Sequence, residues 1–123
     1  MTQSLEDYLK AIGLLADRGK NVREVRITDV AARLGVSKPS AVVAVKALEK
    51  QGFLKHERYS NVILTEKGEE KAAEIKGRYE FILSFLKDML GVSQKTAEQD
   101  SCKMEHILSK ETLEKMKNLI ELF

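Results

Sequence analysis

Apolar residues recur along this chain mostly three and four positions apart, the spacing that gathers them on one face of an α-helix. Leu5, Tyr8, Leu9, Ile12, Leu15 and Ala16 make the first such stripe, and Gly19 is placed to end that helix. Thr28 is expected to cap a short helix over 29–34 that stops at Gly35. Ser37 starts a third helix with Pro39 in its first turn, where a missing N–H costs nothing. That helix carries Ala41, Val42, Val45 and Leu48 inward and stops at Gly52. Two short runs, 53–57 and 61–64, read as strands separated by Arg58, Tyr59 and Ser60. From Thr65 a long helix is predicted to about Leu90, with Ile75, Tyr79, Ile82, Leu83, Leu86 and Met89 on one face. Phe81 and Phe85 give it a second apolar face, which in so small a chain points to burial against another subunit. Helices over about 94–108 and 110–122 complete the pattern, the last capped by Ser109.

The expected fold is therefore mainly α, with a winged helix-turn-helix over 1–65 and a helical domain over 66–123. A helix, a capped short helix, a Gly turn, a capped longer helix and a two-strand wing follow one another in the order of that DNA-reading unit. Gly35 accepts the positive φ of the tight turn, Val36 fills the corner, and Ala31, Ala32 and Leu34 let the two helices approach. Ser37, Lys38, Pro39, Ser40, Val43 and Lys46 are left facing outward toward DNA, with Thr28 at the start of the preceding helix. Arg58 and Tyr59 at the wing tip can reach backbone or minor groove. No Arg, Asn or Gln on the outward face can make a bidentate base contact, so phosphate contacts and DNA shape carry much of the expected affinity.

Charge supports this reading by its distribution rather than its total. The net charge is only +2, but residues 1–65 hold 11 Lys and Arg against 7 Asp and Glu, while residues 66–123 hold 10 against 12. A basic front half suits double-stranded DNA. One cysteine, Cys102, excludes an internal disulfide and fits a reducing compartment. No apolar run approaches the ~18 residues of a membrane span, and the N-terminus lacks an export signal, so the expected location is the cytoplasm with no membrane partner. Only His56 and His106 are present, and no nucleophile–base pair or phosphate-cradling Gly loop appears, which argues against an enzyme.

The segment 102–106 is the most suggestive stretch of the second half. At ~100° per residue, Cys102, Glu105 and His106 share one arc of a helix, with Glu98 in the same arc. Met104, Ile107 and Leu108 take the opposite arc and are expected to face the core. Thiolate, carboxylate and imidazole at this spacing can hold one divalent transition metal, although a polar arc opposite an apolar one is ordinarily a solvated surface.

Four segments together resemble the diphtheria-toxin-repressor family of iron- and manganese-dependent transcriptional regulators. They are S4-L-E-D-Y-L-K, T28-D-V-A-A-R-L-G-V-S-K-P-S, L64-T-E-K-G, and C102-x-x-E-H-I-L-S. The resemblance covers nearly the whole chain, in the family's short form without an SH3-like domain. It implies a homodimer joined through the C-terminal helices that binds operator DNA when loaded with metal and represses metal-uptake genes. The family's metal positions fall on Cys102, Glu105 and His106, with Asp7 reaching in from the first helix. Empty, these acidic groups would repel one another, and metal would relieve that repulsion and fix the DNA-reading unit. Thiolate with imidazole leans toward Fe²⁺ over Mn²⁺, with Zn²⁺, Co²⁺ or Ni²⁺ able to bind in vitro. The chain also departs from the family's pattern. Tyr79 stands where a histidine is usual and Leu83 where a carboxylate is, so a second, ancillary metal site is expected to be absent or altered. Lys10 and Glu98 likewise replace possible ligands. The alternative reading keeps the DNA binding and replaces the metal by a small organic ligand or by oxidation of Cys102.

Overall fold

A computed structural model describes residues 1–17, 24–56 and 61–122. Gly19, Arg58 and Tyr59 lie outside these, and with them the expected end of the first helix and the wing-tip contacts. The chain forms two compact units, Met1–Glu74 and Ile75–Phe123. No helix among the described residues is long and apolar enough to cross a membrane.

In the first unit, α1 (Gln3–Asp17) leads to β1 (Val25–Arg26), α2 (Ile27–Leu34), α3 (Lys38–Lys50), β2 (Leu54–His56), β3 (Asn61–Leu64) and the start of α4 (Glu66–Ser84). The core is the inward stripe of each element: Leu9 and Ile12 of α1, Val30 of α2, Val45 and Leu48 of α3, Leu54 and Val62 of the sheet. Ser37 caps α3 as expected, its side chain accepting the Ser40 N–H, with Pro39 in the first turn. Gly35 holds φ 67, a left-handed conformation that favours glycine.

Thr28 does not cap α2. The helix begins at Ile27, with Arg26 in extended conformation at the N-cap position and no side-chain cap bond. The reason is a strand absent from the sequence reading. Val25 and Arg26 pair antiparallel with Val62 and Asn61, making a three-stranded sheet of order β1-β3-β2, and the chain passes straight from that pairing into α2. Two residues are too few for alternation to show. Val36 does not fill the corner, since its side chain is exposed while its N–H bonds the Ala31 carbonyl at 3.0 Å. Ala32 is exposed as well, and Val42 is only half-buried, so the small residues buried on these two helices are Ala31, Ala41 and Ala44.

The second unit holds the rest of α4, a π-helical turn over Phe85–Met89, α5 (Gln94–Ile107) and α6 (Lys110–Glu121). Ile82, Leu86, Ala97 and Leu113 form its core, with Phe81, Phe85, Met104 and Leu108 packed against it. Phe81 and Phe85, which make the second apolar face, are half-buried against this core. Phe81 and Phe85 stand 6.3 Å apart, and the Lys117 ammonium lies 5.4 Å from the Phe81 ring centroid. Ser109 caps α6 by accepting the Thr112 N–H.

Candidate metal and DNA sites

The outward side chains of α3 stand as the helix period requires. Ser37, Lys38, Pro39, Ser40, Val43 and Lys46 are all exposed, Val43 the most at 70%, and Thr28 is exposed on α2. The two serines are partly spent on each other. The Ser37 hydroxyl lies 2.9 Å from that of Ser40 and accepts the Ser40 N–H at 3.3 Å. Lys38, Val43 and Lys46 are therefore the side chains of this face that project without such a local bond, which suits phosphate contact and apolar contact more than base-edge hydrogen bonding.

Sequence reasoning missed a histidine–carboxylate contact in this unit. His56 Nδ1 of β2 contacts the Glu49 carboxylate near the end of α3, clasping the wing to the helix. The two residues are seven apart across the Gly52 turn, where the chain reverses at φ 86, and nothing in the spacing alone announces that they meet.

The 102–106 segment lies on α5, but with its faces rotated from the expected arcs. The buried positions are Ala97, Ser101 and Glu105, with Met104 and Leu108 half-buried beside them. Cys102 and Glu98 are exposed, and Ile107, expected in the core, is 71% exposed. The core-facing direction is turned by roughly 50° toward Glu105. The cause is tight packing of α5 through its small residues Ala97 and Ser101, which carries Glu105, on the same i+4 row, inside with them.

Burying a carboxylate is costly unless it is paired. Glu105 is 1% exposed, and its Oε1 lies 3.2 Å from His106 Nε2, whose ring is buried too. A sheltered carboxylate and imidazole converging at this distance fit a divalent transition metal, which takes oxygen and nitrogen donors of this kind. Cys102 is the next donor along the same helix. Gln94 holds Glu98 through a hydrogen bond between side chains, which occupies one of its carboxylate oxygens. Asp7 stands half-buried on α1 in the first unit.

Tyr79, on α4, shares this environment. Burial first, then the negative charges of Cys102, Glu98 and Glu105, raise its phenol above the usual tyrosine value. The position where a family histidine is expected therefore does face α5's acidic side, but presents a neutral hydroxyl there.

Comparison with known proteins agrees across the chain. Residues 1–62 match the family described as iron dependent repressor, N-terminal DNA binding domain, and residues 65–123 match iron dependent repressor, metal binding and dimerisation domain. An uncharacterized HTH-type transcriptional regulator of Methanocaldococcus jannaschii is 42% identical over 124 residues, covering 100% of this chain and 97% of that one. Transcriptional regulator MntR of Salmonella typhimurium is 39% identical over 110 residues, covering 89% of this chain and 68% of its own length. Among solved structures, the metal-dependent transcriptional regulator MtsR superposes with TM-score 0.85 at 24% identity, over 98% of this chain and 55% of MtsR. A manganese-dependent transcriptional repressor in complex with manganese gives TM-score 0.82 at 26% identity, over 95% of this chain and 52% of that one. The chain spans about half the length of those two structures. The relatives are transcriptional regulators and not enzymes. This chain belongs to the iron dependent repressor family, whose members are metal-dependent transcriptional regulators.

Proposed function

We propose that this protein is a homodimeric repressor that binds operator DNA when Asp7, Cys102, Glu105 and His106 hold a divalent metal ion. The observation that carries the reading is the buried Glu105–His106 pair. A carboxylate and an imidazole are sheltered together on α5, within the segment 65–123 that is similar to the family's metal binding and dimerisation domain. When bound, the ion supplies the positive charge that lets several acidic groups share one site. Glu105 and His106 are already brought together, Cys102 adds a thiolate one turn earlier, and Asp7 adds a carboxylate from α1. Fixing α1 in this way biases the DNA-reading unit. Ser37, Lys38, Pro39, Ser40, Val43 and Lys46, with Thr28, Arg58 and Tyr59, contact the duplex. The regulated genes are those of metal homeostasis, and the protein works in the cytoplasm.

Two considerations bear on the ion. The Cys102 thiolate supports Fe²⁺. A repressor 26% identical to this chain was solved with manganese, which supports Mn²⁺. Exposure of Cys102 gives one ground for the oxidation-gated alternative.

The test is operator-fragment binding under anaerobic conditions with chelator, Fe²⁺, Mn²⁺ or Zn²⁺, repeated with Cys102→Ala. Metal-dependent binding that weakens in the variant is expected, as is a loss of affinity with rising salt. Equal binding in chelator and metal, or an undiminished metal response in Cys102→Ala, overturns the assigned site. Competition between Fe²⁺ and Mn²⁺ for the same protein names the ion.

A further inference from the structure

The L64-T-E-K-G68 segment at the wing exit makes contacts that neither the DNA face nor the metal donors use. The Lys67 ammonium donates to the Gln51 carbonyl at 2.9 Å and stands 4.6 Å from the centroid of the Phe53 ring. The Thr65 hydroxyl donates to the Gly52 carbonyl at 2.6 Å and accepts the Gly68 N–H at 3.1 Å. The Thr65 N–H donates to the Phe53 carbonyl at 3.0 Å. A Cβ at Gly68 would stand 2.0 Å from the Phe53 carbonyl oxygen and 3.0 Å from its carbon. Only glycine lets the first turn of α4 lie this close to that backbone.

One capping side chain is enough to start a helix. Here Thr65, Lys67 and Gly68 tie the first turn of α4 to three successive residues, 51–53, as the chain leaves α3. Contacts at several separate points fix direction as well as position. A tilt or rotation of α4 therefore moves the end of α3, and Lys67 adds a favourable cation where that helix's dipole is negative. The chain passes from the first unit to the second within α4, whose residues 75–84 include Tyr79. Three of the proposed donors, Cys102, Glu105 and His106, belong to the second unit, so beside the route through Asp7 and α1 their occupation can bias α3 through α4.

We infer that Thr65, Lys67 and Gly68 form a stiff joint that delivers the orientation of α4 to the DNA-reading helix α3, and that they are positioning residues for metal-gated DNA binding. The inference rests on the metal-gated reading above. Its test uses the full chain and a duplex selected from random sequence by the wild type. Duplex affinity is measured in chelator and in saturating Mn²⁺, and Mn²⁺ affinity is measured without DNA. The variants are Lys67→Met, which keeps an unbranched side chain without the charge, Thr65→Val, and the conservative Lys67→Arg and Thr65→Ser. Melting temperatures identify any variant that fails to fold, in which case Lys67→Met carries the test.

Allosteric gains are typically about 5–150-fold. The wild-type gain should fall by at least about threefold in Lys67→Met and Thr65→Val, with Mn²⁺ affinity nearly unchanged, and should return in Lys67→Arg and Thr65→Ser. A purely structural role would lower duplex affinity by the same factor with and without Mn²⁺, preserving the gain, and that result overturns the joint alone. A wild type with no Mn²⁺-induced gain overturns the metal-gated reading itself and the joint with it.

Discussion

His106 Nε2 lies 3.2 Å from Glu105 Oε1, and both side chains are shut away from water. Consecutive residues of a helix point about 100° apart, so this contact requires the two side chains to converge on one point. Exchanging either residue should therefore damage two properties together. His106→Ala is expected to cost about 1–3 kcal/mol of metal-free stability, the range for a buried polar group that loses a partner. Metal affinity should fall by more than the roughly 10–100-fold that loss of an outer hydrogen-bond partner costs a metal site. Glu105→Gln keeps the shape, so it should lose the metal affinity with a smaller loss of stability. Denaturant titration of the apo protein and competition with a chromogenic chelator read the two effects. Wild-type metal affinity in Glu105→Gln would remove Glu105 from the ligand set.

Tyr79 sets an alkaline limit. Its phenol is raised by burial and by the charges of Cys102, Glu98 and Glu105. Below about pH 10 the ring is neutral in both folded and unfolded chains, and its contribution to stability is fully present. As pH rises past the ordinary tyrosine value, the unfolded chain ionises first, so stability is lost through the raised folded value. Tyr79→Phe should flatten this part of the stability profile between pH 9 and 11. Urea midpoints across that range decide it, and an unchanged alkaline slope in the variant would show that Tyr79 does not set the limit.

Ser101 is buried completely, and its hydroxyl has no hydrogen-bond partner among the described residues. A buried hydroxyl without a partner costs about 1–3 kcal/mol, and replacement by a smaller apolar group removes that cost. Ser101→Ala should leave the fold intact and raise the melting temperature, helped by the better helix propensity of alanine. A lower melting temperature would show that the hydroxyl is satisfied in solution.

The order of helices, the Ser37 cap, the Gly35 turn and the wing were all legible in the chain. Each depends on neighbours within a few positions: a 3.6-residue period, a serine before a proline, a glycine that tolerates positive φ. The motif segments carried the family in the same local way. What the period could not fix was the direction of the core. An arc drawn around α5 groups Cys102 with Glu105 and His106, but it does not say which side of that arc is buried. Packing through Ala97 and Ser101 decided that, taking Glu105 inside and leaving Ile107 and Cys102 exposed. The strand at Val25–Arg26, the His56–Glu49 clasp and the approach of Gly68 to Phe53 were likewise decided by tertiary structure. Each joins residues that a turn or a sheet brings together, and such pairings leave no periodic trace along the chain.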